Sequence, residues 1–277
     1  MLDTIDANIR ARHRGARFRL LQGNCIEILG RLPPQTFDLI AADPPYNLSN
    51  GGTTCSGGKR VAVDKAGWDE SRGFAEDHAF NVAWLAACER VLKPSGTIWI
   101  SGTHHVIFSV GFALQSAGWR ILNTVSWYKP AASPNLACRT LTHSTEFVIW
   151  AAPPAAADAG KLLHTYNYRE MKAENGGKQL RDVWCIREDG DADGSVLWEM
   201  GSARGDEKRE GKHPTQKPLA LLDRIIRAST QPGMLVLDPF NGAGTTGRAA
   251  TKAGRYYVGI DLDPAYLDLT ARRLALP

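Results

Sequence analysis

The sequence predicts an α/β fold built on a mostly parallel sheet, and three observations carry that expectation. Short apolar runs of strand length alternate with stretches of helical periodicity along the chain. Two of those runs, Phe37–Ala42 and Met234–Leu237, are largely continuous in apolar character, as strands covered by helices on both faces must be. Both break into loops of ligand-binding type, Asp43-Pro44-Pro45-Tyr46 and Asp238-Pro239-Phe240-Asn241-Gly242-Ala243-Gly244. At 277 residues the chain has the size of one large domain, or of one domain carrying a substantial insert.

Taken in order, Phe18–Leu21 reads as a strand ending at Gln22-Gly23-Asn24. Ile26, Ile28 and Leu29 mark a short helix, closed by a turn at Pro33-Pro34. The run 37–42 stops at Asp43-Pro44-Pro45 because consecutive prolines cannot donate ladder hydrogen bonds. Residues 47–73 are rich in Gly, Ser, Thr and Asn, and a loop of that length is expected to be either functional or mobile. Trp84, Leu85, Cys88, Val91 and Leu92 share one face of a helix running from Phe74 to about Leu92. Lys93-Pro94-Ser95-Gly96 ends it and feeds a strand over Thr97–Ile100. A helix over 106–117 and strands over 121–127 and 146–150 continue the alternation. Ala151-Ala152-Pro153-Pro154-Ala155-Ala156-Ala157 reads as a linker, and periodicity is weak from there to about Gly211. Pro218 opens a helix, where proline suits a first helical position. A strand over 234–237, a glycine loop with its helix, a strand over 256–260 and a last helix opened by Pro264 complete the chain.

Composition narrows the class without naming it. Hydrophobic content of 43% and charged content of 22% are those of an ordinary globular enzyme. A net charge of +4 is compatible with a polyanionic partner. Arg10, Arg12, Arg14, Arg17 and Arg19 form a dense basic run, readable as a solvated arm or as one that touches phosphates. The weakly periodic stretch is no basic patch, with ten Lys or Arg against eleven Asp or Glu between 161 and 212. Five scattered cysteines without a Cys-x-x-Cys pair suggest neither a disulfide framework nor a zinc ribbon. His104, His105 and His143 lack metal-ligand company, so no metal is expected. With no signal peptide and no membrane-length apolar run, a cytoplasmic protein is expected.

The loop after 234–237 is a candidate cofactor cradle. Its glycines allow a ligand to approach the backbone, and the following helix offers unpaired N–H groups. Asp261, at the end of the next strand, is placed to accept hydrogen bonds from ribose hydroxyls. Gly247 falls one residue early for the Gly-x-Gly-x-x-Gly of a dinucleotide site, so a nucleoside with an amino-acid tail fits better than a diphosphate. Asp238 would suit the cationic end of that tail.

Asp43-Pro44-Pro45-Tyr46 lies where open α/β sheets place their chemistry, beyond the carboxyl end of a buried strand. An aromatic amine is a poor nucleophile because its lone pair is delocalised into the ring. A carboxylate and a fixed carbonyl accepting both N–H hydrogens would favour a pyramidal nitrogen. Prolines aim those acceptors in advance, and Tyr46 offers a flat ring on which an extruded base could stack. Asp43 orients and stabilises charge first; proton acceptance follows attack.

Together these blocks resemble the amino-methyltransferase family of DNA modification enzymes in its beta motif order, from about residue 18 to 275. Leu92-Lys93-Pro94-Ser95-Gly96-Thr97, Thr142-His143-Ser144-Thr145-Glu146 and Lys212-His213-Pro214-Thr215-Gln216-Lys217-Pro218 also match. Ser56-Gly57-Gly58-Lys59 and Trp99-Ile100-Ser101-Gly102 make the chain similar to HindIII-type modification methylases. The resemblance implies a Rossmann-like, S-adenosylmethionine-dependent methyltransferase fold of circularly permuted motif order. Residues 1–150 would form the catalytic half, 151–211 an inserted target-recognition region, and 212–277 the cofactor half. In the implied sheet, the strand ending at Asp238 leads to the one ending near Asp261. The N-terminal strand ending at Asn24 comes next, then the one ending at Asp43. The family's pattern assigns Asp43, Pro44, Pro45 and Tyr46 to catalysis. It puts Gly242, Gly244, Thr245 and Thr246 around the cofactor methionine, with Asp238, Phe240 and Asp43 near. Asp261 would bind the ribose. Asn24, beside Cys25, stands where the family usually has an Asp for the adenine, and His213, Thr215 and Lys217 would hold the carboxylate. The implied reaction is methylation of adenine N6 in double-stranded DNA within a restriction-modification system. An endonuclease partner and a homodimer are implied with it. Methylation of cytosine N4 is the alternative, although those enzymes more often carry Ser at position 43. A protein-glutamine or RNA methyltransferase would carry its glycine loop first. An inactive DNA-binding module would not need both constellations intact.

Overall fold

A computed structural model describes residues 2–49, 53–56, 59–62, 69–129, 132, 134–135, 137–157, 163–184, 211 and 215–275. The N-terminal portion runs α1 (Leu2–Asn8), β1 (His13–Arg14), β2 (Phe18–Gln22), α2 (Cys25–Arg31), β3 (Phe37–Ala42), β4 (Thr53–Ser56) and β5 (Lys59–Ala62). Then come α3 (Phe74–Val91), β6 (Leu92–Gly102), α4 (Ile107–Ser116), β7 (Arg120–Tyr128), β8 (Thr145–Ala152), α5 (Pro154–Ala157), α6 (Tyr168–Glu174) and β9 (Val183–Trp184). The chain closes with α7 (Leu219–Ser229), β10 (Leu235–Asp238), α8 (Thr245–Lys252), β11 (Tyr256–Asp261) and α9 (Pro264–Ala275). No helix among the described residues is long and apolar enough to cross a membrane.

Nine strands form one sheet in the order β1-β2-β11-β10-β3-β6-β8-β7-β9. Every neighbouring pair from β2 to β6 is parallel, while β8 runs against both β6 and β7. The mostly parallel α/β architecture is the one expected. The implied strand order needs one correction: β3 lies not beside β2 but on the far side of β10. The sheet grows outward from β10 in both directions, so the order reverses between β10 and β3. That reversal opens a crevice at the strand ends, as in doubly wound sheets.

Alternation along the strands explains the layers. Phe37, Ile40, Ile98, Ile100, Leu235 and Leu237 face a core shared with α2, α3 and α4. Leu39, Ala41, Trp99, Val236 and Tyr257 face the opposite core, shared with α7, α8 and α9. A run buried on both faces needs no polar face, hence the continuous hydrophobicity of these segments. Trp99 and Trp150 sit opposite in register and stack with centroids 4.9 Å apart, and the Trp99 indole N–H donates to Ser229 Oγ at 2.8 Å.

Several elements depart from expectation for identifiable reasons. β6 begins at Leu92, because Leu92 already pairs with Phe37; the Lys93–Gly96 turn is an irregularity within the strand. A Cβ at Gly96 would meet Leu92 Cδ1 at 2.6 Å and the Asp38 carbonyl oxygen at 3.0 Å, so a larger residue there would force Leu92 to shift. β8 extends through Ala151 and Ala152, both fully buried, and Pro154–Ala157 is a helical turn rather than a linker. Within 47–73, β4 and β5 pair as a hairpin with Ser56 opposite Lys59. Part of the weakly periodic stretch is integral to the sheet: β9 pairs with β7, and Trp184 is buried against Trp99. The N-terminal arginines are mostly engaged within the chain: Arg12 pairs with Asp268, Arg14 and Arg19 with Asp6, and Arg17 donates to the Gly254 carbonyl.

Candidate active site

The two predicted constellations meet. β3 and β10 are neighbours with Val236 opposite Leu39 and Leu237 opposite Ile40, so Asp238 and Asp43 close adjacent parallel strands. Parallel neighbours lie about 4.8 Å apart, which brings loops separated by nearly the whole chain to one crevice. Both line a single cavity of about 460 Å³, the size of a small-molecule site. Asn24, Cys25, Pro44, Pro45, Tyr46, Thr215 and Lys217 also line it, as do Phe240, Gly242, Thr245, Thr246 and Asp261. His213 lies outside the described residues. Gly244 does not line the cavity. It caps α8 at φ 71°, where a Cβ would strike Thr270 at 2.4 Å, so its part is to shape the loop.

On the cofactor side, Asp238 is almost wholly buried, and burial pushes its carboxyl up to about 7. It accepts from the Phe240 backbone N–H at 3.0 Å, and no cationic side chain among the described residues lies within ion-pair reach. A buried acid so placed favours a cationic ligand. Asp261, raised by burial to about 6, accepts from the N–H groups of Gly242 (2.8 Å) and Asp263 (2.9 Å). Those bonds leave a carboxylate further acceptor positions, but they also make Asp261 the clip between β11 and the glycine loop. Asn24 does not offer its carbonyl freely to a ligand: Oδ1 caps α2, accepting from Ile26 N at 2.9 Å. Burial lifts the neighbouring Cys25 thiol to about 11, so it is a neutral wall group. Phe240 packs edge-on against Trp84, fixing the floor.

On the catalytic side, both Asp43 oxygens are engaged. Oδ1 accepts from the Tyr46 hydroxyl at 2.8 Å, and Oδ2 from Lys217 Nζ at 2.7 Å. Lys217, expected at a cofactor carboxylate, pairs here with Asp43, with Glu146 Oε2 3.9 Å from its ammonium. Burial disfavours its charge, but Asp43 and Glu146 outweigh that and raise its pKa. Tyr46 is 6 % exposed, with the Lys217 ammonium 4.7 Å from its ring centroid. One ring face is therefore covered, and a stacking base would need the other face or a shift of Lys217.

Two site residues were not foreseen. Asp69, 1 % exposed, accepts from the N–H groups of Tyr46, Asn47 and Leu48 at 2.8, 2.8 and 3.1 Å, and from Ser49 Oγ at 3.2 Å. This carboxylate holds the segment after the proline turn, where Asn47 adopts φ 57°. An acid at the end of a Gly/Ser-rich stretch, beside Glu70, was its only sequence signal. Glu146 faces Lys217 from β8 and pairs with Lys129. A charge at the head of an apolar strand was the signal there.

With this geometry in place, comparison with known proteins is informative. The chain matches the family model of DNA methylases with N6 and N4 specificity over residues 37–272. It is 47% identical over 255 residues to the Type II methyltransferase M2.DpnII of Streptococcus pneumoniae, covering 92% of this chain and 88% of that protein. Among solved structures, the cytosine-N4-specific PvuII DNA methyltransferase superimposes with a TM-score of 0.70 at 17% identity, covering 97% of this chain and 90% of that one. The M1.HpyAVI complex with S-adenosylmethionine gives a TM-score of 0.60 at 21% identity, covering 93% and 99%. The chain belongs to the DNA methylase family of N6 and N4 amino-methyltransferases.

Proposed function

We propose that the protein methylates N6 of adenine at specific sites in double-stranded DNA, using S-adenosylmethionine, as the modification arm of a restriction-modification system in the cytoplasm. The single observation that carries amino-methylation is the common cavity of Asp43 and Asp238 at the sheet's order reversal, and an aspartate at position 43, where cytosine-N4 enzymes more often carry Ser, favours adenine. The likeness to a Type II methyltransferase supports the restriction-modification setting, and an endonuclease partner follows from that setting as part of the proposal. A homodimer is the assembly the family resemblance suggests.

The cavity suits the methyl donor chemically. Asp238 meets a cationic amino group, Asp261 presents acceptors for hydroxyls, and Phe240 and Cys25 supply apolar wall. The glycine loop with Thr245 and Thr246 would surround the amino-acid end, and Thr215 lines the same cavity. When bound, S-adenosylmethionine supplies a methyl group activated by a sulfonium. The chain's residues then have a distinct task on the target amine. Asp43 accepts from its N–H bonds, holds the nitrogen pyramidal and stabilises the charge that develops. Pro44 and Pro45 keep that acceptor from relaxing, and Asp69 anchors the backbone beyond them. No metal is required for this chemistry.

We assign target recognition to residues 151–211 apart from Ala151–Ala152 and Val183–Trp184, which belong to the sheet, with 1–150 and 212–277 as the two halves of the catalytic domain. Digesting methylated plasmid DNA to nucleosides and weighing them tests the reading. N6-methyladenine is expected. N4-methylcytosine in its place would transfer the assignment to the other amine, where Asp43 would do the same work.

A further inference from the structure

We propose that Glu146 is a positioning residue that takes the Lys217 ammonium when the target amine takes the Asp43 carboxylate. The inference rests on the reading of Asp43 as the acceptor for that amine. Both Asp43 oxygens are already bonded, Oδ1 to the Tyr46 hydroxyl and Oδ2 to Lys217. Each oxygen keeps a further lone pair, but the Lys217 ammonium neutralises the carboxylate, so an incoming amine competes with a charged donor for Asp43. Lys217 is only 8 % exposed, so its charge cannot retreat into water, and a buried ammonium without a partner is strongly disfavoured.

Glu146 provides the alternative. Its Oε2 lies 3.9 Å from Lys217 Nζ, is buried, and has no hydrogen-bond partner among the described residues. Its Oε1 is held by Lys129, which keeps the carboxylate aimed. β8 fixes the position further, with Glu146 opposite Trp127 on β7. Orphaned buried carboxylate oxygens are unfavourable unless a donor arrives. A shift of about 1 Å brings the ammonium to charge-assisted distance from Oε2. The ion pair then changes partners inside the protein, and Asp43 is released to the amine.

Glu146→Gln keeps the shape and removes the alternative anion. Single-turnover methylation of unmethylated plasmid DNA with labelled S-adenosylmethionine should slow by roughly ten- to a hundredfold, the rate equivalent of one charge-assisted hydrogen bond. Cofactor Kd measured by calorimetry should stay within about twofold, since transition-state and ground-state contributions separate in this way. A wild-type rate overturns the proposal, and so does a loss explained by weaker cofactor binding. Should this variant not fold, a crystal structure of Asp43→Asn decides: Lys217 Nζ should lie about 3 Å from Glu146 Oε2. Its remaining on residue 43 overturns the proposal. If Asp43→Asn methylates at the wild-type rate, the reading of Asp43 itself falls. An inactive Asp43→Asn beside a fast Glu146→Gln removes the Glu146 inference alone.

Discussion

Moving the ligand-free protein from about pH 5 to about pH 8 should weaken its fold while strengthening its hold on a cationic ligand, because both depend on ionising Asp238. Burial pushes this carboxyl from 3.8 up to about 7. The folded state thus binds the proton more tightly than the unfolded state does. Its stabilising effect is complete below about pH 4 and is lost as pH rises through about 7. At 1.36 kcal/mol per tenfold change in proton affinity, the full difference approaches ~4 kcal/mol. Asp238→Asn removes the titration and keeps the shape. Urea denaturation should find this variant more stable than wild type near pH 8, with the gap closing toward ~pH 4. Cofactor affinity should run the other way: only about a tenth of Asp238 is ionised one pH unit below its pKa, so wild-type Kd should be about tenfold weaker near pH 6 than near pH 8. Calorimetry at matched ionic strength measures this. A wild-type Kd constant from about pH 5.5 to 7.5, or an Asp238→Asn variant that binds as tightly as wild type, refutes the assignment of Asp238 to the cationic end.

Other perturbations test the rest of the site. Asp43→Asn should reduce kcat by roughly a hundredfold or more while cofactor affinity holds, measured by methyl incorporation and calorimetry in parallel. Asp69→Ala removes the acceptor of three backbone N–H groups at once, together with one contact of the Ser49 hydroxyl, and should destabilise the segment after Tyr46 by ~3 kcal/mol or more. Faster proteolytic nicking there, with an unchanged far-ultraviolet spectrum, is the expected readout. Gly244→Ala puts a Cβ 2.4 Å from Thr270 at a positive φ and should lower the melting temperature by several degrees, on the order of 2 kcal/mol. Gly30→Ala, in a helix with nothing within 4 Å of the added carbon, should leave it unchanged or raise it.

What was legible in the sequence follows from how local each signal is. The strands of the parallel sheet were readable because burial on both faces demands continuous hydrophobicity, as in Phe37–Ala42. The two strand-end loops were readable because proline and glycine disclose backbone constraints at their own positions. Lys217 shows where local reading stops. Its motif was visible, yet its partner was chosen by electrostatics among acids 174 and 71 positions away along the chain. Asp69 was harder still, since nothing nearby distinguishes an acid that accepts four hydrogen bonds from one that faces water. The strand that carries Trp184 was missed for a related reason: two residues carry no periodicity, and the burial of Trp184 comes from Trp99 across the sheet.

The placement of charge explains why the catalytic crevice sits at the order reversal. Asp43, Asp238 and Asp261 all end parallel strands or begin the loops beyond them, and they crowd one cavity. Burial raises Asp238 and Asp261 well above ordinary carboxylates, and Asp43 adds repulsion at Asp238. A sequence selected for stability alone would not concentrate acids there. Along a continuous sheet, a helix crossing over each strand would cover such groups and leave no room for ligand. At the reversal between β10 and β3 the crossovers depart in opposite directions, so the strand ends remain open to a solute. The acids are therefore tolerable only where a cation can reach them. Lys217 meets that need at Asp43 from within the chain, and a cationic cofactor meets it at Asp238 from outside. The same unfavourable charge that weakens the empty fold is what makes ligand binding stabilise it.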